Sequence, residues 1–241
     1  MKDKHADLYN TEERYWWSVI QRREALRFWK RFSKQGQERR ILDVGCGAGA
    51  LLVDLSGGAK VFGVDLSFKA CHFSKTKKIS VFQGDASRLP LRDNCFDAVF
   101  ALDLIEHIED ELTCLGQIYR VCSREGICIL TVPAWNCLWS ERDKWLQHRR
   151  RYTAGQVRAA VEGAGFRVIR CAYIHGLLFP VLFFWSKIRR LFRYNKIKTD
   201  IVPVPKPLNL ILIYLFSAEM KLFSRTGLPF GTSVICVAKK C

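Results

Sequence analysis

A glycine-rich turn between a short apolar run and a helical one restricts the folds open to this chain more than any other feature. Ile41-Leu42-Asp43-Val44 has the look of a buried strand. It runs into Gly45-Cys46-Gly47-Ala48-Gly49, and Ala50 to Leu55 suits a helix. Glycines let the backbone turn sharply and approach a ligand closely. The helix start beyond offers free N–H groups and a positive dipole end. The same rhythm continues along the chain. Val61–Asp65, Ile79–Asp85, Phe96–Ala101, Gly126–Val132, Phe166–Tyr173 and Val234–Ala238 read as further strands. Ser67–Lys77, Glu111–Val121 and residues 153–164 read as helices. Alternating strands and helices predict an α/β fold with a doubly wound, mostly parallel sheet.

Two carboxylates give the turn a partner. Asp65 closes the second strand, about twenty positions after the glycines, where an acid can accept from ribose hydroxyls. Asp85, in Gly84-Asp85-Ala86, closes the third, where it could accept from an adenine amine. Either could instead cap a helix. Ligands in open parallel sheets bind at the carboxyl ends of strands, and all three features sit at such ends. The spacing is GxGxG, whereas a dinucleotide-binding dehydrogenase favours GxGxxG and would not need Asp85.

These segments, with Phe96-Asp97-Ala98-Val99 and Glu106-His107-Ile108, resemble class I S-adenosylmethionine-dependent methyltransferases. The likeness covers roughly residues 37–135. It is nearest the broad branch of ubiquinone, menaquinone and small-molecule methyltransferases. The N-terminal Trp16-Trp17 and Arg22-Arg23 also resemble bacterial members. The resemblance implies a Rossmann-like seven-stranded sheet, its last strand antiparallel, with S-adenosyl-L-methionine as cofactor. It implies that Gly45, Gly47 and Gly49 pack on the cofactor's methionine part. Asp65 would hold the ribose, Asp85 the adenine, and Asp103 would lie near the amino group. Asp43, Cys46, Leu66, Ala86 and Arg22 complete the expected cofactor contacts.

A methyl carbon on a sulfonium is already electrophilic, so alignment supplies much of the rate, and a base is needed only for a protonated nucleophile. His148 and His107 are the candidate catalytic groups, because imidazole titrates near neutrality. Both also have bland readings, a solvated loop for His148 and a packing role for His107. His148 ranks higher because it lies in a loop after a strand end. Trp135, Trp139, Arg149, Arg150 and Tyr152 are candidate acceptor-binding residues, since Arg forks match phosphate or carboxylate oxygens.

Domain organisation follows the same pattern. Residues 1–38 form an expected N-terminal helical cap, 39–173 and 233–241 the sheet domain, and 174–232 an insertion between the last two strands. The insertion holds an apolar run, Leu177–Trp185, then six basic residues (Lys187, Arg189, Arg190, Arg193, Lys196, Lys198), a Pro-rich connector over 201–207, and a second apolar run over 208–218. Neither run reaches the ~20 apolar residues needed to span a bilayer. The order suits a peripheral or monotopic element on an anionic membrane surface, or a lid or dimer contact.

Thirty-nine Lys and Arg against twenty-three Asp and Glu give +16, which favours anionic partners. Nucleic acid fits less well than a membrane, because no Asn-Pro-Pro-Tyr or Pro-Cys motif appears. A hydrophobic or lipid-linked acceptor is expected, with a non-catalytic membrane-associated binding protein as the rival. The charged start lacks a signal-peptide core, so a cytoplasmic location is expected. The ten cysteines lack CxxC spacing and sit mostly in apolar runs. They are expected to be reduced, with neither a metal site nor a disulfide framework.

Overall fold

The computed structural model describes residues 14–32, 39–75, 77, 79–191, 204–223 and 226–241; the side chains of residues 189–191 are outside that description. Parts of the expected cap (1–13 and 33–38), Arg193, Lys196, Lys198 and residues 201–203 of the connector likewise lie outside the described residues.

In chain order the elements are α1 (Trp16–Phe32), β1 (Arg40–Val44), α2 (Ala50–Leu55), β2 (Lys60–Asp65), α3 (Phe68–Lys75), β3 (Ser80–Gln83) and β4 (Phe96–Leu102). There follow α4 (Glu111–Val121), β5 (Cys122–Pro133), a single 3-10 turn (Asn136–Leu138), α5 (Glu141–Trp145), α6 (Ala154–Gly163) and β6 (Arg167–Ile174). Then come α7 (Leu178–Leu191), α8 (Lys206–Phe223) and β7 (Ser233–Lys239). The seven strands form one sheet in the order β3-β2-β1-β4-β5-β7-β6. All pairings are parallel except those of β7, which lies antiparallel between β5 and β6. This is the fold that the resemblance implies.

Period-two alternation sends the strands' side chains to two cores. Leu42, Val44, Val99, Ala101, Leu130, Val132, Val234 and Cys236 face one side, where α4 and α6 cover them with Leu115, Ile118, Val157 and Val161. Ile41, Ala98, Phe100, Ile129, Ile235 and Val237 face the other, under α1, α2 and α8. Because both faces are covered, the central strands read as unbroken apolar runs.

Several boundaries differ from those expected. The third helix starts at Phe68, since Ser67 accepts from the Ala70 N–H as its cap. β5 begins at Cys122 instead of Gly126, because Cys122 already pairs with Phe96 across a bulge. The insertion's apolar runs are helices. Pro180 and Pro207 both sit in first turns, where a missing N–H costs nothing. The connector's last residues, Lys206 and Pro207, are therefore helical.

The insertion is tied to the N-terminal helix. Trp16 stacks on Phe216 with centroids 5.2 Å apart. Asn209 accepts from the Trp16 N–H at 2.9 Å and donates to the Arg14 carbonyl at 2.9 Å. α1 and α8 thus pack together over one face of the sheet.

Candidate functional site

The strand order reverses between β1 and β4, which places a crevice at their carboxyl ends. A cavity of about 860 Å³ opens there. At one end it is lined by the glycine turn. Gly45, Gly47 and Gly49 have φ of 75°, 49° and 75°, a region that side chains resist. A Cβ on Gly45 would come within 2.9 Å of Leu104 Cδ1. The turn is therefore held open by the absence of side chains.

Three acids face this end, each fixed by neighbours. Asp65 accepts from the Gly47 N–H at 2.9 Å through Oδ2 and from the Ser67 N–H at 2.8 Å through Oδ1. Asp85 accepts from the Ser87 N–H at 2.8 Å. Asp103, itself at φ 48°, accepts from Gln21 Nε2 at 2.9 and 2.8 Å and from Thr131 Oγ1 at 3.0 Å. Each carboxylate oxygen has two lone-pair directions. Asp65 and Asp85 spend at most one per oxygen in these bonds.

The other end is built by residues 138–151 and α7. Leu138 and Leu146 line it, facing Leu178, Leu182 and Trp185 of α7. Between the two ends stand His107 and His148, their rings edge to face at 4.8 Å. His148 Nδ1 lies 3.0 Å from Asp143 Oδ1. Arg151 grips the same carboxylate with Nε at 2.7 Å and Nη2 at 3.0 Å. Burial alone would raise the Asp143 carboxyl. The hydrogen bonds from His148 and Arg151 and the Arg151 charge outweigh it and hold the group well below the usual range. Burial and the neighbouring His148 push His107 down, so its ring is neutral near neutral pH. Beside them, Glu106 is fully buried with neither oxygen hydrogen-bonded. Burial, then the charge on Asp103, pushes its carboxyl well up.

Of the expected cofactor residues, Arg22, Asp43, Gly45, Cys46, Gly47, Asp65, Leu66, Asp85, Ala86 and Asp103 line this one cavity. Gly49 does not; it backs onto Ile79 and Ser74. Arg22 points its Nε at Asp54, 3.0 Å away. The two candidate histidines also line the cavity.

The expected acceptor residues are displaced. Arg150 pairs with Glu111 and donates to the carbonyls of Ile108 and Glu109. Arg149 donates to the His107 carbonyl at 3.2 Å and lies 3.5 Å from Glu109. These two guanidiniums fasten one loop to another, and neither residue lines the cavity. Tyr152 is buried, with its hydroxyl on the Ile105 carbonyl. Trp135 stacks on Tyr173 at 4.9 Å, and Trp139 is half-buried outside the cavity. Sequence reasoning missed Gln21 and Asp143. Asp143 carried one available signal, the Ser140-x-x-Asp143 capping box that opens α5.

Residues 42–130 match the family model described as a methyltransferase domain. A probable S-adenosylmethionine-dependent methyltransferase of Mycolicibacterium smegmatis is 27% identical over 164 residues, 65% of this chain and 61% of that protein. The demethylmenaquinone methyltransferase of Oceanobacillus iheyensis is 33% identical over 115 residues, 42% of this chain and 48% of that one. This chain thus spans less than two thirds of either relative. Among solved structures, phosphoethanolamine N-methyltransferase 2 of Haemonchus contortus, in complex with S-adenosyl-L-methionine, superposes with a TM-score of 0.61. Its identity is 20%, over 90% of this chain and 52% of that one.

Proposed function

Because the chain carries the class I S-adenosylmethionine-dependent methyltransferase domain, we propose that it transfers a methyl group to a hydrophobic or lipid-linked small molecule at a membrane surface. The carrying observation is the single cavity that joins the glycine turn and its acids to an apolar wall on α7.

The side chains at the first end suit the cofactor. Asp65 and Asp85 retain acceptor capacity for ribose hydroxyls and an adenine amine, and Asp103 offers a negative charge to an ammonium. When bound, S-adenosylmethionine supplies an electrophilic methyl group. The protein's part is then to hold a nucleophile in line and exclude water, which proximity rewards strongly. Leu138, Leu146, Leu178, Leu182 and Trp185 provide an apolar seat for the acceptor. His107 and His148 stand where its reacting end would meet the cofactor.

Support for a membrane setting comes from the outward faces of the insertion. Val181, Phe184 and Ile188 on α7, and Leu210, Ile211, Tyr214 and Leu222 on α8, are exposed. No described helix is long and apolar enough to cross a membrane, so the contact proposed is peripheral. Basic residues nearby add roughly 1 kcal/mol each at an anionic surface. The demethylmenaquinone methyltransferase, by its name, acts on a quinone precursor, which agrees with this class of acceptor.

The test incubates the protein with methyl-labelled cofactor and anionic vesicles carrying a bacterial lipid extract, then separates lipid, aqueous and RNA fractions. Label in the lipid fraction and co-sedimentation of the protein are expected. Label confined to the aqueous or RNA fraction, with the protein left in the supernatant at low salt, overturns the reading.

A further inference from the structure

We propose that Glu106, His107 and His148 form a binding site for one divalent first-row transition-metal cation in the wall of the cavity. One ligand atom from each residue lies within 4.8 Å of the other two. The sequence spacing signals no such site, because His148 joins the Glu106-His107 pair only through the fold.

The first support is Glu106. It is completely buried, and neither carboxylate oxygen has a hydrogen-bond partner. Burying an acid without a partner is unfavourable, and Asp103 and Asp143 add like charge around it. The guanidinium of Arg151, the cation nearest in kind, is committed to Asp143 and the Ala134 carbonyl. A cation on Glu106 would occupy its empty lone pairs.

The second support is the setting of the two rings. His148 gives Nδ1 to Asp143, which fixes the tautomer with a lone pair on Nε2. The His107 ring packs edge to face against that of His148, centroids 4.8 Å apart. A carboxylate on the second ring nitrogen, as Asp143 provides for His148, is how metal-bound histidines are commonly oriented.

The ligand chemistry narrows the cation. Two imidazoles with one carboxylate suit zinc, cobalt, nickel or iron better than magnesium or calcium, which prefer all-oxygen shells. Bonds of ~2.1 Å in a tetrahedral shell place ligand atoms ~3.4 Å apart, so side chains now within 4.8 Å of one another would draw together by up to about 1.4 Å on binding the ion. Both histidines line the cavity and Glu106 lies behind them. The open coordination positions therefore face the space between cofactor and acceptor, as in catalytic rather than structural sites. The site stands on these side chains alone and does not depend on the acceptor proposed above.

The experiment strips the full-length protein with chelator and titrates it with Co²⁺ alone. Visible d–d bands saturating at one equivalent are expected, without the thiolate charge-transfer bands that cobalt on cysteine would give. Asp143→Asn should weaken binding ~10–100-fold. His148→Gln and Glu106→Gln should each abolish the bands. If Glu106→Gln does not fold, His148→Gln decides, since that side chain sits at the cavity wall. Retained binding of S-adenosylhomocysteine shows that this variant folds. No d–d bands in the wild type, thiolate bands, or unchanged bands in His148→Gln would each overturn the proposal. Methyl transfer is read in the separate labelling assay, so failure of one reading leaves the other visible.

Discussion

His175→Phe should remove a large acid sensitivity from the stability of this protein. His175 joins β6 to the insertion, with its ring 4.5 Å from Trp17 and 5.6 Å from Phe216. It is fully buried, and neither ring nitrogen has a hydrogen-bond partner. Burial pushes its pKa down from 6.5 to about 3. The unfolded chain binds a proton near pH 6.5 while the folded one stays neutral, so stability is intact above pH 6.5 and falls as pH drops towards 3. Between pH 7 and pH 5 the loss is about 2 kcal/mol, from 1.36 kcal/mol per pKa unit. Any folded pKa below about 4 gives nearly the same loss. Burial raises Glu24 and Glu219, which contributes the opposite slope, but they titrate in both proteins and cancel in the difference. Urea unfolding of both proteins at pH 7 and pH 5 is the measurement. The variant should lose about 2 kcal/mol less than the wild type over that interval. Equal losses would show that the imidazole takes up its proton in the folded state, and the reasoning from burial would fail.

Two further outcomes test the cofactor end and the packing of α1 against α8. Asp65→Ala should weaken S-adenosylmethionine binding by ~1–3 kcal/mol, about 5–150-fold by calorimetry, with Asp65→Asn between the two; unchanged affinity would remove Asp65 from the site. Asn209→Ala leaves the Trp16 N–H and the Arg14 carbonyl without their partner. It should cost ~1–2 kcal/mol and speed amide exchange in the first turn of α1, whereas unaltered exchange there would show that the stacking on Phe216 alone holds the helix.

What the sequence makes legible is whatever a local pattern encodes. The glycine turn, the strand ends at Asp65 and Asp85, and helix Glu111–Val121 all follow from periodicity and turn chemistry within a few residues. The insertion helices do not. Leu208–Ala218 is apolar nearly all round, so it shows no 3.6-residue face, and the prolines at its start resemble a loop. The arginine run fails for another reason. Arg149 and Arg150 carry the right chemistry for an anion, but their partners Glu109 and Glu111 are about forty residues away, on a segment that only the fold brings near. The same distance hides Glu106 beside His148. A side chain's type is local, while the partner that uses up its hydrogen bonds is not.

The two ends of the cavity are therefore built from different materials. The cofactor end rests on backbone: positive φ at Gly45, Gly47 and Asp103, and strand ends locked by parallel pairing. Moving any of these shifts the central strands, whose side chains fill both cores. The proposed acceptor end rests on side chains from segments that leave the sheet, α5 with its flanking loops and α7. Their apolar groups can change size while the sheet keeps its register. His107 and His148 stand at the junction, one anchored just beyond β4, the other held by Asp143, whose carboxylate Arg151 also grips. That anchoring suits the reacting centre proposed above: its position would be fixed by the rigid half of the molecule, and the shape of the proposed acceptor would be matched by the other half.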